Sequence, residues 1–79
     1  MDITTTPKLG KFFDPGTANI IHLTGGDLTI EEKDPATGTW YELPGSPLTA
    51  GSEWEVTAVN AEQRLTSAST TVLRWAERN

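Results

Sequence analysis

Few residues in this chain stand close enough in type and spacing to do chemistry together. His22 lies in the apolar run Ile20-Ile21-His22-Leu23, with no second histidine and no cysteine to share a metal, so it reads as structural or merely exposed. The absence of cysteine removes disulfides, thiolate nucleophiles and zinc–sulfur sites together. Carboxylates are the one concentrated resource: Glu31, Glu32, Asp34 and Glu42 fall in or beside the stretch KDPATGTWYELPG, residues 33–45. Glycoside hydrolysis would need two of them facing a cleft, one with its pKa raised by burial, and a thin domain leaves little room for one. Calcium takes six to eight oxygens from one compact loop, more than the turn from Asp34 to Gly38 supplies, so these acids read as a solvated acidic turn. Gly25-Gly26 lacks the strand, loop and helix setting of a phosphate cradle. No catalytic residue, cofactor or metal is expected, and the chain reads as a non-enzyme.

Size and charge narrow the role further. A chain of 79 residues makes one domain at most, and a domain of that order buries only about 60% of the surface its unfolded form exposes. With no disulfide and no metal to staple it, association with other subunits is the remaining source of buried area. A homo-oligomer is therefore expected, a trimer being one option. The net charge of −5 is spread along the chain, and the six basic residues, Lys8, Lys11, Lys33, Arg64, Arg74 and Arg78, form no stripe that could displace counterions from a phosphate backbone. No nucleic-acid partner is expected. No apolar run approaches the roughly 18 residues that span a bilayer, and MDITTTPKLG has neither the basic start nor the apolar stretch of a signal peptide. A soluble chain with no membrane partner and no visible export signal follows, and Met1 with the short charged end AERN suggests a complete gene product.

The elements that must position these residues are strands. Residues 19 to 76 show period-two alternation, frequent threonine and turn residues every eight to twelve positions. Strands are expected at Asn19 to Thr24, Leu28 to Lys33, Thr39 to Leu43, Glu53 to Val59, Glu62 to Ser67 and Thr71 to Ala76. The predicted fold is all-β: a small antiparallel β-sandwich or flattened barrel of about six short strands over 19–79, preceded by an extended N-terminal arm over 1–18. In the first hairpin, a four-residue loop from Asp34 to Thr37 would pair Ile30 with Tyr41 and Leu28 with Leu43. It would also set Trp40 against Glu31 on the opposite face, beside Thr29 and Glu42. A second hairpin turning at Asn60-Ala61 would pair Val56 with Leu65, Ala58 with Gln63 and Trp54 with Ser67, and bring Thr57 opposite Arg64 with Glu55 within reach of an ion pair. Leu73 and Trp75 would point inward.

Two features remain for function. The arm carries Leu9 and the pair Phe12-Phe13, which is costly to leave in water; it either covers an open edge of its own sandwich, packing for instance on Trp40, or reaches a neighbouring subunit. Trp40 sits among polar neighbours. The candidate partner-binding residues are thus Leu9, Phe12, Phe13, Trp40 and Glu31.

The order of pieces from Leu23 to Trp75, with an acidic turn, Thr39-Trp40-Tyr41 and then Leu48-Thr49-Ala50-Gly51 leading into another hairpin, resembles small virion proteins of tailed bacteriophages of the capsid decoration or head-fibre kind. The resemblance implies a non-enzymatic structural protein, made in the host cytoplasm and bound in many copies to the major capsid protein or another virion protein, most simply on the head surface. Two alternatives stay open: a carbohydrate-binding or adhesion module that stacks a sugar on Trp40 and Tyr41, and a small tail or baseplate component.

Overall fold

The computed structural model describes residues 1–13, 16, 18–51, 53–57 and 62–78, the side chains of 77 and 78 excepted. Nine strands follow one another: β1 Asp2–Ile3, β2 Lys8–Gly10, β3 Ala18–Leu23, β4 Asp27–Lys33, β5 Trp40–Glu42, β6 Leu48–Thr49, β7 Glu53–Thr57, β8 Gln63–Thr66 and β9 Thr71–Arg78. They form two antiparallel sheets, ordered β1-β9-β3-β7 and β2-β8-β4-β5, with β6 also paired to β4. The expected all-β sandwich is what the chain adopts, with no helix among the described residues. The six anticipated strands correspond to β3, β4, β5, β7, β8 and β9, each end within two residues.

The core lies between the sheets because alternation sends every second side chain inward. Ile21 and Leu23 of β3, Val56 of β7, Leu73 of β9 and Ile3 of β1 meet Leu28 and Ile30 of β4, Leu65 of β8 and Leu48 of β6, all buried. Trp54 and Trp75 pack partly buried against this layer.

Connectivity departs from the hairpin expectation. Except for β4-β5-β6, each successive strand lies in the other sheet. β7 and β8 are therefore no hairpin: β7 pairs with β3, opposing Ile21 to Trp54 and Asn19 to Val56, whereas β8 pairs with β4, opposing Ile30 to Leu65. The inward assignment of Trp54, Val56 and Leu65 survives, because facing sheets satisfy the same burial pattern that one hairpin face would. The cross-strand partners do not survive: Thr57 opposes Ala18, Glu55 opposes Ile20, and Arg64 opposes Glu31. Ala58 and the Asn60-Ala61 turn lie outside the described residues.

The first hairpin forms with its register displaced by two residues. Lys33 opposes Trp40, Glu32 opposes Tyr41 and Glu31 opposes Glu42, and Leu43 donates its N–H to the Ile30 carbonyl at 2.9 Å. The cause is local. Asp34 still belongs to the ladder, its N–H bonded to the Thr39 carbonyl at 2.8 Å, and its side chain accepts the Ala36 N–H at 2.9 Å. Gly38, at φ +75°, closes the loop by donating to the Asp34 carbonyl at 2.7 Å. The loop thus starts one residue later than expected, and because the shift is even, no side chain changes face.

The N-terminal segment is no free arm. β1 pairs with β9 and β2 pairs with β8, so residues 2–10 supply one edge of each sheet. Between them the Thr4 carbonyl accepts the Ser67 N–H at 2.9 Å. Phe13 is 2% exposed and meets Trp75 edge-on at 5.4 Å, 77° between planes, so it fills its own core rather than covering Trp40 or facing a neighbour. Phe12 is half-buried against that core and donates its N–H to Gln63 Oε1 at 2.7 Å. Strands of two and three residues separated by Pro7 carry too little alternation to be read from sequence.

Phe13→Ala should lower unfolding free energy by about 3–5 kcal/mol, as expected for emptying an aromatic site in a packed core; urea denaturation of the full chain measures this, and a loss below 1 kcal/mol would contradict the burial. A second expected loss comes from Gly26→Ala. Gly26 takes φ +68°, and a Cβ there would lie 2.5 Å from Ser69 Oγ and 3.0 Å from the Thr70 carbonyl oxygen. The left-handed conformation alone should cost about 1–2 kcal/mol, with the clash added, measured in the same way.

Candidate functional site on the outer face of the second sheet

Alternation that sends Leu28, Ile30 and Glu32 of β4 inward leaves Thr29, Glu31 and Lys33 outward. The pairing registers extend that outer face to Leu9 of β2, Arg64 and Thr66 of β8, and Trp40 and Glu42 of β5. Leu9, Arg64, Glu31 and Glu42 form one row across four strands. Arg64 is its centre. Its Nε donates to Glu31 Oε1 at 3.1 Å and its terminal nitrogen to Glu31 Oε2 at 2.9 Å, a two-point fork in which the planes of guanidinium and carboxylate match. The guanidinium carbon lies 4.5 Å from the centroid of the Trp40 ring, within the range of cation–π attraction. The hydrogen bond to Glu31 holds the Arg64 pKa above its ordinary value, partial burial opposes this, and the Glu31 charge adds to it. Arg64 is therefore fixed in position and charge by two neighbours, and in turn fixes them.

Three of the residues anticipated for partner binding, Leu9, Trp40 and Glu31, come together on this face; Phe12 and Phe13 do not. Arg64 was missed as a member. Its signal was hidden in the register: only the β4–β8 pairing, between strands separated by more than thirty residues, sets it beside Glu31. Leu9, at the β2 end of the row, keeps 59% of its surface exposed.

Elsewhere the expected clusters separate. Trp40 and Tyr41 are neighbours in one strand, so they project to opposite sides, Trp40 to the outer face and Tyr41 to the side of Glu32. They cannot offer one flat two-ring platform to a sugar. The four carboxylates also disperse. Glu31 is bound to Arg64, Asp34 caps its own turn, Glu42 is exposed at the sheet edge, and Glu32 is wholly buried opposite Gln63, contrary to its expected place in a solvated turn. Parity explains Glu32: it alternates with Leu28 and Ile30 along β4 and so points inside in either register. His22 stands on the outer face of the other sheet, its Nε2 3.3 Å from Glu53 Oε1, both side chains largely solvated. A cleft of about 230 Å³ opens at the far edge, lined by Leu43, Pro44, Glu55, Val56 and Thr57, smaller than the roughly 300–1,000 Å³ usual for small-molecule sites. Among the described residues no three His, Asp or Glu side chains gather closely enough to hold a metal ion.

Arg64→Lys retains the charge but cannot supply two parallel donors. It should strip the stacked cover from Trp40, moving the Trp40 ring resonances in aromatic NMR spectra while the amides of β1, β3 and β9 keep their positions. Unmoved Trp40 resonances would show that the stack does not organise the face. No protein-family model, curated protein or solved structure matches this chain.

Proposed function

We propose that this chain is a non-enzymatic structural protein of a tailed-bacteriophage particle, a decoration protein that binds the head shell in many copies. The observation that carries the reading is the outer face of the second sheet, where exposed Leu9 lies in one row with an Arg64 held between Glu31 and Trp40. Tryptophan and arginine dominate the energetics of protein interfaces, because each offers a large contact area with little conformational entropy to lose once it is already held in place. An Arg–Glu fork that is satisfied before binding adds no unpaired charge when covered. The resemblance of residues 23–75 to capsid decoration and head-fibre proteins supports the same reading, with the major capsid protein as partner and the head surface as location. The row replaces the Phe12-Phe13 arm as the proposed contact, since that segment is built into the sandwich.

The test uses phage heads assembled without this protein, mixed with the purified full chain and sedimented. The wild type should co-sediment in many copies per head, Trp40→Ala and Arg64→Ala should bind about tenfold or more weakly, and His22→Ala, on the opposite face, should bind as the wild type does. No co-sedimentation, or equal losses from both faces, would reject the reading.

A further inference from the structure

The two large apolar side chains left exposed among the described residues, Leu9 at 59% and Tyr41 at 43%, sit at the two opposite free edges of the same sheet. Leu9 is on β2 and Tyr41 on β5. The backbone at both edges is turned outward in a matching pattern. Lys33 donates its N–H to the Glu62 carbonyl and Ser67 donates to the Thr4 carbonyl, so by antiparallel alternation Lys8 and Gly10 bond to β8 while the N–H and C=O of Leu9 point away from the sheet. On β5, Leu43 donates to the Ile30 carbonyl. Tyr41 accordingly bonds to β4, and the backbone groups of Trp40 and Glu42 point outward.

Each neighbouring pair in the order β2-β8-β4-β5 is antiparallel, so β2 and β5 run in opposite directions. A second copy placed edge to edge in the same orientation would bring them together as an antiparallel pair. Their faces agree as well: Leu9 would share a face with Trp40 and Glu42 of the next copy, and Lys8 would share the other with Tyr41. Charge agrees too. Residues 3–13 contain Lys8 and Lys11 and no acid, and residues 39–51 contain Glu42 and no base.

We infer that copies of this chain associate head to tail, β2 of one adding to β5 of the next and continuing the second sheet across the junction, by strand addition of the kind open edges permit. The contact is between copies of one chain, so it does not rest on the phage reading. The junction is short. Pro7 and Pro44, which lack an N–H, bound the two strands, and association should therefore appear only at high concentration.

Sedimentation equilibrium of the full chain from about 10 µM to about 1 mM should show the average mass rising at least twofold. Leu9→Pro removes an N–H that faces solvent in the single chain. It should keep the single-chain mass throughout, as should the double variant Lys8→Glu with Lys11→Glu, which supplies the same block if Leu9→Pro fails to fold by circular dichroism. Glu42→Lys blocks the other edge and should also remain single. Mixing a β2-blocked variant with Glu42→Lys should give dimers and nothing larger, because each retains the edge that the other lacks. A wild type that stays single at the highest concentration, folded blocked variants that associate as the wild type does, or a mixture that forms no dimer would each overturn the inference.

Discussion

Two sheets facing each other at about 10 Å share one layer of side chains, and each strand can give that layer only every second residue. The rest of this structure depends on that limit. β-Strands of two to eight residues supply one to a few inward side chains apiece, and a layer built from such small contributions cannot be filled by the middle of the chain alone. Ile3 and Phe13 come from the N-terminal segment and are among the most deeply buried side chains. The segment that looks least structured in sequence is thus needed to finish the interior, and its two short strands become one edge of each sheet.

The same limit explains which parts of the fold were legible. Alternation in β3, β4, β7, β8 and β9 is strong because each has to separate an apolar side from a polar one, and it identified the inward positions of Leu28, Ile30, Val56, Leu65 and Leu73. It could not say which sheet a strand joins. Val56 and Leu65 look alike whether they lie side by side in a hairpin or face each other across the core, and the chain takes the second course. The loop at Asp34 was misplaced by one position at its start, because its closure depends on the Asp34 side chain capturing Ala36 and on Gly38 at positive φ. Glu32 was read by its charge when its parity was the better guide. Of the candidate contacts, Trp40 and Glu31 were recognisable as a tryptophan among polar residues, yet the group between them, Arg64, belongs to a strand whose pairing no local pattern reveals.

The outer face shows how a small sheet can hold a large polar group without a pocket. Arg64 has no cavity to enter. It is confined from below by the strands, from one side by the Glu31 carboxylate and from another by the Trp40 ring. The fork to Glu31 fixes the plane of the guanidinium, and that plane is what a ring can stack on. With both neighbours in place the charge is neither loose nor deeply desolvated, so a face of this kind can be covered by another protein with little rearrangement.

The weaving of the chain between layers bears on how it is made. The first sheet places β3 between β7 and β9 and gives β1 no partner but β9, so that sheet cannot be completed until β9 has been made. Contacts between residues far apart in sequence slow folding, because loop closure has to precede the pairings that reward it. In a nascent chain β1 and the β9 side of β3 therefore wait unpaired until β9 is available to join them.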